Sequence, residues 1–290
     1  MSPAGHFAGA TGVVGDPPPG AVAQLSAHAG RGDLSEAVRG ITPHAVYSFG
    51  TDESDERGSR AVAHGYAEIA AAVGVDLTGR IPRLLVCVRD GPDCLVEGKL
   101  VDSGGRHVAT FAASFQLDDG GGMARAVTYR TTPVQPATSW AHAPVASAAD
   151  ARHALERYFS LLEAGDFEGA AHCFAADVVY AYPQAEPGAQ RPVYLGRSEL
   201  RRAFVELGRR AWRHRLLTSV QRGRDCIAEG EVLGLEAGRT GGWISSLTLD
   251  GEGLISRYCT FYAEPALPRW EGGPPSSRAA AFQSAYNELK

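Results

Sequence analysis

The sequence predicts an α+β protein built from two tandem copies of one domain, and three observations carry that prediction. The chain repeats itself: "PDCLVEGKL" (92–100) and "RDCIAEGEV" (224–232) align at an offset of 132. Held from Arg83 to Pro133, that offset gives 16 identities in 51 gapless positions, against roughly three between unrelated chains. Upstream the offset becomes 133, where "GDLSEAVRGITPHAVYSF" (32–49) lies on "GDFEGAAHCFAADVVYAY" (165–182). Each copy also reads as helices followed by hairpin-linked strands, the order of an α+β domain. Finally, 290 residues with 44% hydrophobic and 21% charged side chains suit two soluble domains of ordinary size.

The second copy reads most clearly. Leu155, Tyr158, Phe159 and Leu162 recur at helical spacing, with Asp150 as N-cap. Gly165-Asp166 ends that helix, and a short helix with Ala170, Ala171 and Phe174 inward leads to a strand at 178–182. A loop rich in Pro, Gly and Gln spans 183–195, and Ser198 opens a third helix carrying Leu200, Phe204 and Leu207. Strand runs are expected at about 216–221, 225–235 and 242–250, then a hairpin turn at "DGEG" (250–253) and a last strand at 254–263. The expected organisation is a flexible arm (1–18), domain 1 (19–134), a linker (135–148), domain 2 (149–268) and a tail (269–290) with a closing helix at 276–290.

Composition narrows the function classes. A net charge of −5 gives no reason to expect nucleic acid or an anionic membrane as partner. The cysteines Cys87, Cys94, Cys173, Cys226 and Cys259 are odd in number and lack C-x-x-C spacing, which points to reduced, buried thiols. No signal-peptide pattern and no membrane-spanning run is present, so a cytosolic location is expected. "GATGVVG" (Gly9–Gly15) imitates a dinucleotide-binding turn, but Asp16-Pro17-Pro18-Pro19 stands where the helix should begin. No His, Asp and Glu set has metal-ligand spacing. Neither a cofactor nor a metal is expected.

The run "ERYFSLLEAGDFEGAAHCFAADVVYAYP", the Gly-initiated third helix and the long final hairpin resemble the nuclear transport factor 2-like superfamily. SnoaL-like polyketide cyclases and ketosteroid isomerases are the relevant relatives. The resemblance implies two cone-shaped domains, each a strongly curved antiparallel sheet around helices and an apolar pocket, paired sheet to sheet as a pseudo-dimer. On the ketosteroid isomerase pattern the oxyanion-donor tyrosine falls on Tyr158, the general-base aspartate on Tyr182 and the second donor on Ser245. Copy one has Leu25, Phe49 and Ala113 there and reads as chemically empty. Polyether epoxide-opening cyclases also pair two such domains, yet neither copy keeps their aspartate.

Strand alternation then sorts the faces. With the family pattern, Ser256, Tyr258, Thr260 and Tyr262 face the pocket, as do Trp243, Ser245 and Leu247. Glu97, Glu229, Arg125 and Arg257 fall on the outer face, where a charged pseudo-symmetric interface would use them. His214 is the candidate proton carrier, because imidazole exchanges protons near neutrality. Tyr158 and Tyr182, expected to face each other, are the candidate oxygen-polarising pair. Trp212, Trp243, Ser245, Tyr258 and Tyr262 are candidate substrate contacts. His172, on the second helix, reads as exposed. The arginines of "RSELRRAFVELGRRAWRHR" (197–215) read as a solvated helix face, with an anionic substrate or a carrier protein as the sharper alternative. The expected function is a cofactor-independent cyclase, isomerase or dehydratase working in copy two on an apolar, polyketide-type carbonyl compound of specialised metabolism. A non-catalytic small-molecule binder or scaffold and an epoxide-opening cyclase are the alternatives. Further self-association stays open.

Overall fold

The computed structural model describes residues 14–50, 60–131, 149–182, 192–235 and 240–264, together with 266 and 269. Copy one runs β1 (Val14–Gly15), α1 (Gly20–Ala29), α2 (Leu34–Ala37), β2 (Ile41–Gly50), β3 (Arg60–His64), α3 (Gly65–Asp76), β4 (Ile81–Asp90), β5 (Asp93–Val101), β6 (His107–Leu117) and β7 (Met123–Thr131). Copy two runs α4 (Ala151–Ala164), α5 (Phe167–Ala171), β8 (Phe174–Ala181), β9 (Val193–Leu195), α6 (Arg197–Leu207), β10 (Arg213–Arg222), β11 (Asp225–Leu233), β12 (Gly241–Leu249) and β13 (Ile255–Ala263).

The duplication extends to strand pairing. The sheets are ordered β1-β4-β5-β6-β7-β2-β3 and β10-β11-β12-β13-β8-β9, so the second is the first without its edge strand. Shifting β4, β5 and β7 by 132 residues lands on β10, β11 and β13 end for end. Even the register irregularity repeats, between Leu84 and Val86 in one copy and Leu216 and Thr218 in the other. A bulge bends its strand and sharpens the local twist, which helps a sheet curl. Each meander is antiparallel, whereas β2 and β8 join β7 and β13 in parallel. Both curled sheets enclose their own helices, giving two tandem cones with separate apolar cores.

Local chemistry explains the helix ends. Asp150 accepts from the backbone N–H groups of Arg152 and His153, and Asp166 from that of Gly169, satisfying donors the first turn leaves unpaired. Between them Gly165 takes φ +83°, a left-handed C-cap that suits glycine. Asp33 caps α2 as Asp166 caps α5.

Three expectations need correction. The arm is not free up to residue 18: Val14–Gly15 pair with Val86 and Cys87. Asp16 accepts from the Arg89 backbone at 2.8 Å and pairs with Arg222 of copy two at 2.9 Å, so an edge strand and two hydrogen-bonded arginines hold it. The expected loop at 183–195 ends in β9, because Val193–Leu195 find ladder partners in Val179–Ala181. Phe174 belongs to β8 rather than to the short helix, since it pairs with Ile255. The proposed closing helix at 276–290 lies outside the described residues, as does the linker at 135–148.

The two sheets meet face to face. Val86, Val88, Leu95, Ala112, Val127 and Tyr129 pack against Val220, Ile227, Ile244, Cys259 and Phe261. Within this apolar layer Arg125 on β7 reaches Glu229 on β11 at 2.7 Å, and Arg257 on β13 reaches Glu97 on β5 at 2.6 Å. These are the same two positions exchanged between copies, as an isologous contact requires. Ser114 donates to Glu229 at 2.7 Å, and Arg257 donates to the equivalent Ser246 at 3.3 Å. Arg269 breaks the symmetry by adding a second guanidinium to Glu229 at 2.6 Å and reaching Asp93 in copy one. Burial pushes the Glu229 carboxyl up, but the charges of Arg125 and Arg269 and the bonds from Arg125 and Ser114 outweigh it, and it titrates at about 2.

Removing one partner of a buried ion pair costs about 3–5 kcal/mol, because the other charge stays buried and unmatched. Glu229→Gln removes the carboxylate of Arg125 and one of the two that Arg269 meets, whereas Glu97→Gln removes that of Arg257 alone, so urea denaturation should show the larger loss for Glu229→Gln; equal losses would mean that the Arg269 contact with Glu229 contributes nothing. The Glu229 pKa is depressed in the fold, so its stabilisation is present above its ordinary value of 4.5 and is lost as pH falls towards 2. Glu229→Gln should flatten the stability profile across that window.

Candidate active site

Helix α4 turns Leu155, Tyr158 and Phe159 into the second cone. Around Tyr158 the interior is aromatic: Phe174 meets its ring edge-on at 4.9 Å, Phe204 stacks at 5.7 Å and Tyr258 meets it edge-on at 5.9 Å. Such contacts are favourable beyond area burial when rings meet offset or edge-on. The hydroxyls pair among themselves. Tyr158 Oη lies 2.9 Å from Tyr180 Oη, and Tyr258 Oη lies 2.7 Å from Ser245 Oγ. Burial pushes all three phenols up, so they stay protonated.

The expected face-to-face pair of Tyr158 and Tyr182 is therefore not formed; the partner of Tyr158 is Tyr180. The reason is register. Tyr180 stands opposite Tyr258 in the β8–β13 ladder and stacks on it at 4.8 Å, which brings its hydroxyl over Tyr158. Tyr182, one residue past the strand, stacks on Tyr180 at 6.1 Å and is only partly buried. Burial raises its phenol, with Tyr194 adding to the shift and the charge of Arg210 opposing it. The signal for Tyr180 was in the sequence: positions 178, 180 and 182 share a strand face, and Tyr180 aligns with Tyr47.

The titratable centre sits beside this core. His214, on β10, places Nδ1 3.1 Å from Glu163 Oε1, and the same oxygen accepts from the His214 backbone N–H at 2.6 Å. Glu163 lies near the end of α4, where sequence reading assigned it no role. Burial pushes its carboxyl up, but the hydrogen bonds from His214 and the charges of His214 and Arg213 outweigh that and hold it below the usual carboxylate range. The imidazole stacks on Phe159 at 4.3 Å with ring planes 5° apart. Carboxylate and ring fix its orientation, and bonding at Nδ1 leaves Nε2 for proton exchange. His214, Glu163 and Phe159 line an open groove of about 630 Å³, with Arg209, Arg213 and Arg215 along it.

The other candidates surround this centre at varied depth. Trp243 is 3% exposed, meets Phe159 edge-on at 5.3 Å, and its buried Nε1 has no hydrogen-bond partner among the described residues. Gly230 makes room for it, since a Cβ there would lie 2.1 Å from the indole. Ser245 meets the Tyr258 hydroxyl, Tyr262 donates to Glu264 at 2.8 Å, and Trp212 lies under the Arg210 guanidinium at 5.6 Å. His172, the C-cap that follows α5, is exposed. No group of three His, Cys, Asp or Glu side chains among the described residues could hold a metal, and no described helix is long and apolar enough to cross a membrane.

Copy one carries a polar network outside the three ketosteroid isomerase positions. Tyr47, the counterpart of Tyr180, donates to Asp76 at 2.6 Å, and Arg130 pairs with Asp76 at 2.7 Å and donates to its backbone oxygen at 3.0 Å. These groups edge an apolar cavity of about 40 Å³ against Leu25, Phe111 and Ala113. Carrying over only the ketosteroid isomerase positions passed by this triad. Its carboxylate is already engaged by Tyr47 and Arg130, and it ties the end of α3 to β2 and β7.

Residues 155–263 match the family of SnoaL-like domains. No curated protein matches the chain at a significant level. Among solved structures, an NTF2-like protein of unknown function from Burkholderia xenovorans is 21% identical, covering 43% of this chain and 89% of its own, with a TM-score of 0.33. A protein from Kribbella flavida provisionally assigned as a ketosteroid isomerase is 22% identical over 42% of this chain and 89% of its own, TM-score 0.33. One from Sinorhizobium meliloti provisionally assigned as a polyketide cyclase is 22% identical over 37% and 93%, TM-score 0.30. The second half of the chain is a SnoaL-like domain, and the first half repeats its strand order, so the protein is built as a tandem pair of this nuclear transport factor 2-like fold.

Proposed function

We propose that copy two is a cofactor-independent enzyme that moves a proton on an apolar carbonyl compound, so that the compound isomerises, cyclises or loses water. A polyketide-type substrate of specialised metabolism fits this reading best. The observation that carries it is the Glu163–His214 dyad on the wall of an open groove. The weakness of the aromatic pocket alone was the lack of a base for a carbon-bound proton. An imidazole held by a carboxylate and stacked on Phe159 supplies one: Nε2 takes the proton, and Glu163 stabilises the imidazolium that results. Closeness of the substrate to this base supplies part of the rate through orientation.

Tyr158 and Tyr182 take different parts in this reading. The Tyr158 hydroxyl is committed to Tyr180 inside the packed core, so it positions the wall. Tyr182, partly buried and held protonated, donates to the oxygen on which charge develops. Phe159 and Leu216 on the groove wall hold the apolar body, and the buried Trp243 packs edge-on behind Phe159. Copy one covers the outer face of the copy-two sheet.

Solvent-deuterium incorporation next to the carbonyl of a panel of apolar ketones, followed by NMR, tests this. His214→Ala should slow exchange by about 10²-fold or more, and Glu163→Gln by a smaller factor with little change in KM. Exchange at the parent rate in His214→Ala would remove the dyad from the mechanism, and binding of the ketones without exchange in the parent would favour a binding module. Tyr158→Phe leaves the buried Tyr180 hydroxyl without its partner, so it should lower stability by about 1–3 kcal/mol while exchange changes less than in Tyr182→Phe.

A further inference from the structure

The groove at His214 has a charge pattern that proton transfer does not require. Its polar lining comprises Arg209, Arg213, Arg215, Glu156 and Glu163 besides His214 and Ser160. Both carboxylates are engaged: Glu156 pairs with Arg152 at 2.9 Å, and Glu163 holds His214 and, at 3.6 Å, Arg213. Arg215 pairs with Glu231 on the neighbouring strand. Arg213 is 75% exposed and meets Glu163 only at the edge of ion-pair range. Arg209 has no acidic partner among the described residues; its aliphatic stem lies over Gly165 at the end of α4, 3.6 Å from where a Cβ would stand. Phe159, Ala164 and Leu216 form an apolar wall of the same groove. An apolar wall beside guanidinium groups in excess over carboxylates suits a ligand with a hydrocarbon body and a negative charge.

We propose that the ligand of this groove is an apolar acid, its carboxylate against Arg209 and Arg213 and its hydrocarbon body along Phe159, Ala164 and Leu216. This rests on the reading of the groove as the substrate site and names the class of substrate: a carbonyl compound that also carries a carboxylate. Arg209 and Arg213 are specificity residues that hold the acid group and so fix which carbon meets His214. The arginine face of residues 197–215 thereby divides. Arg201 pairs with Glu168 at 3.2 Å on the helix surface, whereas Arg209 and Arg213 serve the groove.

The experiment compares 1-naphthylacetate with its neutral isostere 1-naphthylacetamide on the full chain, by calorimetric titration at low and at high salt. The acid should bind about tenfold more tightly than the amide, the worth of a single charge-assisted contact, and the gap should shrink with salt because the arginines are exposed. In an Arg209→Gln/Arg213→Gln double variant the acid should lose its advantage while amide binding stays unchanged. Equal binding of acid and amide by the parent chain, failure of both to bind below about 10 mM, or an advantage that survives in the double variant would each overturn the proposal. His214→Ala separates it from the catalytic reading. Loss of exchange with the acid preference kept supports both, and parent-rate exchange with the preference kept removes only the dyad.

Discussion

The arrangement of this molecule depends on two exchanged ion pairs, Arg125 with Glu229 and Arg257 with Glu97. All four side chains lie between two sheets that meet through an apolar layer. A charge in such a layer is tolerated only with its partner and with its remaining hydrogen-bonding positions filled. The serines Ser114 and Ser246 contribute to that filling. Because each copy provides one arginine and one glutamate to the exchange, Arg125 and Arg257 each meet a carboxylate of the other copy, and Arg269 adds a second guanidinium to Glu229. The ion pairs therefore fix the register in which the sheets meet, while the hydrophobic layer packs around them.

Fixing the outer faces leaves the inner faces free to diverge. Leu25 stands where Tyr158 is, Ala126 where Tyr258 is, Pro82 where His214 is and Arg130 where Tyr262 is. The result is two interiors with different chemistry on one scaffold. Copy one closes around Tyr47, Asp76 and Arg130, a network whose carboxylate is already engaged. Copy two stacks its aromatic rings on one another and carries its titratable pair in an open groove. A saturated internal network stabilises, whereas an imidazole oriented from one side retains a nitrogen for a ligand.

Much of this was legible in the sequence. The offset of 132 marked the strands that now superpose end for end, and alternation assigned Glu97, Arg125, Glu229 and Arg257 to the outer face. Asp150 and Gly165 marked the ends of α4 because capping is a local interaction. Legibility failed where a neighbour distant in sequence decided the outcome. Phe174 became a strand residue through its pairing with Ile255. Tyr180 displaced Tyr182 as the partner of Tyr158 because the β8–β13 register carries it there. Glu163 looked like one more polar residue at a helix end until β10 brought His214 to it, 51 residues later in the chain.

The sequence by itself thus determined what periodicity and short range can encode: duplication, element order, caps, the sorting of strand faces and the resemblance to SnoaL-like domains. Only the tertiary structure decided which hydroxyls pair, which carboxylate orients the histidine, and that Arg269 joins the interface ion pair. These outcomes depend on distances across the sheet and between copies. Such distances follow from strand register and sheet curvature rather than from any local pattern of residues.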